Sequence, residues 1–174
     1  NWRGGAAVYS ALLSGRRGDV LDAITAALRQ RAPIAELVNI LSEIASERML
    51  RFDVDHDADV SIQDSWLSVT HTQTYAAALR AAVATYDEPC LLRLLFFGAV
   101  FCNKARGLDR RGYASPEPWP SHDGLDPLLS AVVEKRRTEA VSRMMAWIDA
   151  GADLAPLRSA LMALSCLLYT SDAA

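Results

Sequence analysis

Two of the three histidines and four alternating aspartates fall in one stretch, RFDVDHDADVSIQDSWLSVTHTQTYAAALR, from Arg51 to Arg80. A helix beginning near Trp66, at about 3.6 residues per turn, places Leu67, His71, Tyr75, Ala78 and Ala82 on one face, with Gln73 and Arg80 opposite. On this reading His71 faces inward with Tyr75 one turn further on. An imidazole beside a phenol can serve as a general acid/base pair or ligate a metal or haem, and the small Ala78 and Ala82 leave room for a ligand. The plainer alternative makes His71 a core residue bonded to a backbone carbonyl or to a hydroxyl such as Thr74. Trp66, His56 and His122 are the further residues that could line a cofactor, His122 only if its loop folds back. No H-x-x-x-H, H-E-x-x-H or E-x-x-H pair occurs, which argues against a self-contained mononuclear or di-iron site.

The acidic segment offers a second chemistry. DVDHDADVSIQD, Asp53 to Asp64, matches a twelve-residue calcium loop at Asp53, Asp55 and Asp57, with Val60 in the eighth place and the acid Asp64 in the twelfth. Ala58 stands where glycine supplies a positive φ, and Asp64 is shorter than the glutamate that reaches the ion with both oxygens. The alternative is a solvated acidic turn in which Asp64 caps the next helix.

The elements that must position these groups are helical. Good helix formers dominate and β-branched alternation is scarce, so an all-α fold of antiparallel helical hairpins is expected. Helices are predicted over 6–14, 19–30, 33–50, 66–86, 89–106, 125–135, 138–150 and from 154 onward. Asp19, Asp64, Thr138 and Asp153 are expected as caps, and Pro33 and Pro89 in first turns. Residues 107–124, rich in Gly and Pro, form the one long irregular connection. Met144, Met145 and Trp147 have the spacing of core packing, while Trp119, Arg110, Arg111 and Tyr113 could form a binding rim. Residues 10–41 also overlay 130–161 without gaps at an offset of 120, matching Ser10 with Ser130, Arg16 and Arg17 with Arg136 and Arg137, Leu37 with Leu157, and Leu41 with Leu161. Such self-similarity points to a repeated helix pair.

Composition narrows the classes further. The 174 residues, 51% of them hydrophobic, suit one domain over 1–165, and a net charge of -3 with scattered arginines gives no basic face for nucleic acid. The apolar run from Leu91 to Phe101 is broken by Arg93 and too short to span a bilayer, and no signal peptide is visible, so a cytoplasmic protein is expected. Cys90 and Cys102 match no redox or zinc spacing and are expected as buried hydrophobes. The segment CLLYTSDAA, 166–174, resembles a translated sequencing adapter and is expected to be a non-native tail. With a start at Asn1 and no Met, the chain is expected to be a piece of a longer protein. Glycine-rich phosphate loops, nucleophile elbows and zinc ligand clusters are missing from the sequence.

At WLSVTHTQTYAAALR, Trp66 to Arg80, preceded by SERMLRFD, Ser46 to Asp53, the chain resembles the helical region of certain bacterial Rieske-type iron-sulfur proteins, itself distantly similar to the questin-oxidase-like family. The resemblance covers about a third of the chain. It implies an all-helical domain tied to oxidation chemistry, with His71 the position most like a family histidine. The other histidines of a questin-oxidase-like site have no matching positions. A Rieske cluster needs a Cys/His pair on each of two loops, so its iron centre would be supplied by a missing domain or a redox partner. Two classes of function follow: the helical part of an oxidoreductase with a pocket around His71 and Tyr75, or a non-catalytic helical interaction module.

Overall fold

The computed structural model describes residues 2–59 and 65–171, the last six of these by their backbone alone. The order of elements is α1 (Gly5–Ser14), α2 (Arg17–Arg29), α3 (Ile34–Arg51), the single turn α4 (Asp55–Ala58), α5 (Trp66–Thr85), α6 (Cys90–Lys104), a 3-10 turn (Ala105–Leu108), α7 (Leu125–Val133), α8 (Arg137–Asp149) and α9 (Leu154–Ser171). The fold is all-α. Among the described residues the only extended pairing is an isolated antiparallel bridge between Phe52 and Asp109, held by Asp53 N to Leu108 O at 2.9 Å and Arg110 N to Arg51 O at 2.7 Å. None of the described helices is long and apolar enough to cross a membrane. The chain divides into two compact units, 1–113 and 114–174.

Most helix starts have a local cause. Asp19 accepts the Arg16 amide at 2.8 Å, and Asp153 accepts that of Ala155 at 2.9 Å, each satisfying a donor that the helix leaves open. Pro33 and Pro89 stand immediately before α3 and α6 rather than inside them. Three expected caps differ in place: Asp19 lies within the first turn of α2, which begins at Arg17, and reaches back to Arg16 from there. The α5 cap is Ser65, whose hydroxyl accepts from Leu67 N, with Asp57 taking the Trp66 amide at 3.0 Å; Asp64 lies outside the described residues. Thr138 falls within the first turn of α8, because the helix begins one residue earlier, after Arg136.

In the first unit α3 packs against α1, α5 and α6, and α6 also packs on α1, α2 and α5. Leu37, Leu41, Ile44 and Ala45 form the fully buried stripe of α3, and Leu95, Ala99 and Cys102 meet them from α6. Each large apolar side chain so enclosed contributes about 1.5–3 kcal/mol. Gly98 allows this approach. A Cβ there would come within 2.8 Å of Leu41 Cδ2 and of Tyr75 Cε1. A smaller cluster of Phe52, Val69 and Leu108 lies beside the bridge.

The second unit is a three-helix arrangement in which α7 packs on α8 and α9. Its core is small: Leu128, Trp147 and Leu157, with Leu125, Met144 and Leu161 at its margin. The Trp147 indole donates to Asp153 O at 3.0 Å, fixing the turn between α8 and α9. Here the expectation that Met144 and Trp147 serve packing holds.

Candidate functional site

On α5 the residues that face the core are Val69, Thr72, Ala76 and Leu79. That stripe is rotated from the one expected, so His71 is exposed rather than inward, Ala78 is exposed and Ala82 half-buried. Tyr75 is half-buried, donating its hydroxyl to Leu94 O at 2.9 Å, with its ring edge-on to Phe101 at 6.2 Å. Burial raises the phenol above its ordinary pKa. Its one proton is committed to a backbone carbonyl and its ring to packing, so Tyr75 acts as a bolt between α5 and α6. Thr74 donates to the Thr70 carbonyl at 2.8 Å, not to the imidazole.

The other candidates disperse. Trp66 lies against Phe52 at 5.2 Å and His56 near the same ring at 6.3 Å. His122 belongs to the second unit, edge-on to Trp147 at 4.5 Å. Asp53 accepts from Asp55 N at 3.2 Å, and Asp55 and Asp57 both lie in α4, a helical turn instead of an open loop. Among the described residues no group of three or more His, Cys, Asp or Glu is arranged to hold a metal ion. Cys102 is buried, its thiol pushed up to about 12 by desolvation, whereas Cys90, expected inside, is exposed because it opens α6 at the surface. The irregular connection is held by stacking. Tyr113 receives Arg51 and Arg110 at 4.9 and 5.4 Å, and Trp119 receives Arg143 at 4.1 Å.

Two clusters were not anticipated. One surrounds Arg48, on the buried face of α3. Its guanidinium donates to Asp109 Oδ2 at 2.5 Å, Cys102 O at 3.1 Å, Leu12 O at 3.0 Å and Leu13 O at 2.5 Å. Asn103 donates to the carbonyls of Leu12 and Gly15, and Arg106 to those of Ser14 and Gly15. The carbonyl end of α1 is thus closed by cationic and amide donors from α3, α6 and the 3-10 turn. Desolvation raises the Asp109 carboxyl and lowers the Arg48 guanidinium from their ordinary values, against the mutual attraction of the pair. Asp109 Oδ1 is buried without a hydrogen-bond partner. The signal for this cluster was legible: Arg48 continues the apolar phase of Leu37, Leu41 and Ile44.

The second is a cleft of about 300 Å³ between α2 and α6, lined by Arg17, Leu21, Arg93, Phe96, Phe97 and Val100. Helix α6 is apolar nearly all round. Its buried side carries Leu91, Leu95 and Ala99, while Leu94 and Phe97 on the other side are 39% and 68% exposed. A helix of that kind ordinarily has cover on more than one side. Neither Arg17 nor Arg93 has an ion-pair partner among the described residues, so two cations flank an apolar floor.

No family model matches this chain, and neither a curated protein nor a solved structure does.

Proposed function

We propose that the chain is a helical binding module rather than a catalyst, and that its α2–α6 cleft takes an apolar peptide segment flanked by carboxylates. The exposure of Phe97 between Arg17 and Arg93 carries this reading. An apolar side chain entering the cleft would cover Phe96, Phe97 and Val100, while acidic neighbours would meet the guanidiniums, which match carboxylates with paired donors. The surroundings of α5 support a binding role over an oxidation pocket, since Tyr75 is tied to Leu94 and His71 stands in solvent. A cytoplasmic setting agrees with the exposed free thiol of Cys90.

The test is fluorescence anisotropy with a labelled peptide carrying Leu and Phe at helical spacing between glutamates. Lysine-flanked and scrambled peptides are the controls. Saturable binding is expected, weakened about thirtyfold by Phe97→Ala, as for a central interface aromatic, and about tenfold by Arg93→Glu. Equal binding of the lysine-flanked peptide, or none by the acidic one, overturns the reading.

A further inference from the structure

Displaced by 120 residues, α2 coincides with α8 at both ends, α3 with α9 at its start, and α1 with α7 to within one residue. The turns agree as well. After α2, Arg31 adopts φ 59 and the amides of Arg31 and Ala32 bond the carbonyls of Leu28 and Ala27; after α8, Gly151 adopts φ 63 and the amides of Gly151 and Ala152 bond those of Ile148 and Trp147. Every one of these positions is the earlier one moved by the same offset. In both units the first helix packs on the second and the third.

This correspondence lets each residue of one unit be compared with its counterpart. In the first unit Ile24 of α2 and Leu37, Leu41 and Ala45 of α3 belong to one core cluster and are no more than 1% exposed. They are covered because α6 lies against both helices and α5 packs on α3. Their counterparts Met144, Leu157, Leu161 and Ser165 line an open cleft of about 530 Å³ between α8 and α9. Ile148, Leu154, Met162 and the charged Arg158 complete its lining, the three apolar side chains being 56%, 52% and 64% exposed. The helix ends differ in the same sense. The last carbonyls of α1 receive side chains from α3, α6 and the 3-10 turn, whereas α7 closes on its own backbone, with Lys135 at φ 57 and the Arg136 amide on Ala131 O at 2.8 Å.

We propose that α7–α9 are a second copy of α1–α3, and that the α8–α9 groove is the seat of a helical hairpin of the α5–α6 kind belonging to that same repeat of the polypeptide. The occupant's chemistry is set by what fills the first groove: a helix with Leu at two successive turns and Gly-Ala at the crossing, followed at its end by donors for the carbonyls of α7. In repeat proteins a unit is stabilised by the neighbouring helices that cover its open face. The groove is independent of the α2–α6 cleft, so the two readings stand or fall separately.

The test compares the chain as it stands with one continued after Ser165 by its own residues 46–113, which keeps the register and restores an arginine at the place of Arg48. Peroxide oxidation of Met162 and hydrogen exchange in α8 are followed by mass spectrometry. Both are expected to slow at least tenfold in the extended chain, and Ile148→Glu is expected to lower Tm in the extended chain alone. Met162 equally reactive in both chains, or an appended segment that adds no helix, overturns the proposal. So does a starting chain that sediments as a dimer and becomes monomeric on Met162→Glu, since a second copy would then be the occupant.

Discussion

Helices α1 and α7 differ by one residue in length and each packs on the two helices that follow it, yet they end differently. The carbonyls of Leu12, Leu13, Ser14 and Gly15 are closed by Arg48, Asn103 and Arg106, side chains reaching in from other elements. Helix α7 closes with its own following amides. The first arrangement makes one helix end depend on three further elements, so the first unit gains or loses them together. In the second, the described donors to the end of α7 are backbone amides of its own turn, and the unit around it is held mainly by Leu128, Trp147 and Leu157. Polar capping, as well as apolar area, therefore separates the interlocked unit from the open one.

The sharpest way to break that contrast is at Asp109. Asp109→Ala leaves the Arg48 guanidinium buried without its carboxylate, and the first unit is expected to lose about 3–5 kcal/mol. Urea unfolding followed by circular dichroism measures this. A loss below about 1 kcal/mol would show that Arg48 is satisfied by carbonyls alone.

Gly98→Val comes next. The added methyl groups meet Leu41 and Tyr75 where even a Cβ would lie at 2.8 Å, and overpacking of this sort costs about 1–3 kcal/mol. An unchanged unfolding midpoint would mean that α6 can shift without loss. In the second unit Arg143 is paired with Glu139 and Asp123, the latter held below the usual carboxylate range by the Ser121 hydroxyl and by Arg143 itself. These groups are near the surface. Arg143→Ala is expected to move the unfolding midpoint only slightly, because solvent screens these pairs, and a loss as large as that of Asp109→Ala would erase the distinction between the units.

The smallest effect is one of pH. Burial sets the folded pKa of Asp109 above its unfolded value, so the fold resists its ionisation. The associated stability is complete below the unfolded pKa and is lost as pH rises through the folded one. Measured against Asp109→Asn between about pH 4 and about pH 6, near the carboxylate range, the wild type should therefore lose relative stability as pH increases. A slope of the opposite sign would mean that attraction to Arg48 outweighs desolvation.

The sequence showed the helices well and their faces less well. Starts marked by Asp19, Pro33, Pro89 and Asp153 sit within two residues of the observed ones, because a cap acts on its immediate neighbours. The face of α5 was misjudged at His71. In WLSVTHTQTYAAALRAAVAT, alanines and threonines occur all round the helix, so no strong apolar stripe fixes its rotation and the packing of α3 and α6 decides it. Arg48 was readable in principle, since it continues the phase of Leu37, Leu41 and Ile44, but its partner Asp109 lies 61 positions away and only folding brings them together. The α2–α6 cleft was hidden for a similar reason: Leu21 and Phe97 announce themselves as ordinary apolar residues until two distant helices meet.

The closure of α1 also bears on how the chain is made. Asn103 and Arg106 follow the carbonyls they bind by about ninety residues. At a ribosomal rate of about 5–20 residues per second, the end of α1 emerges roughly 5–20 s before the donors that complete it have even been synthesised. During that interval water must serve those carbonyls, and the nascent N-terminal helices wait, half finished, for α6 to arrive.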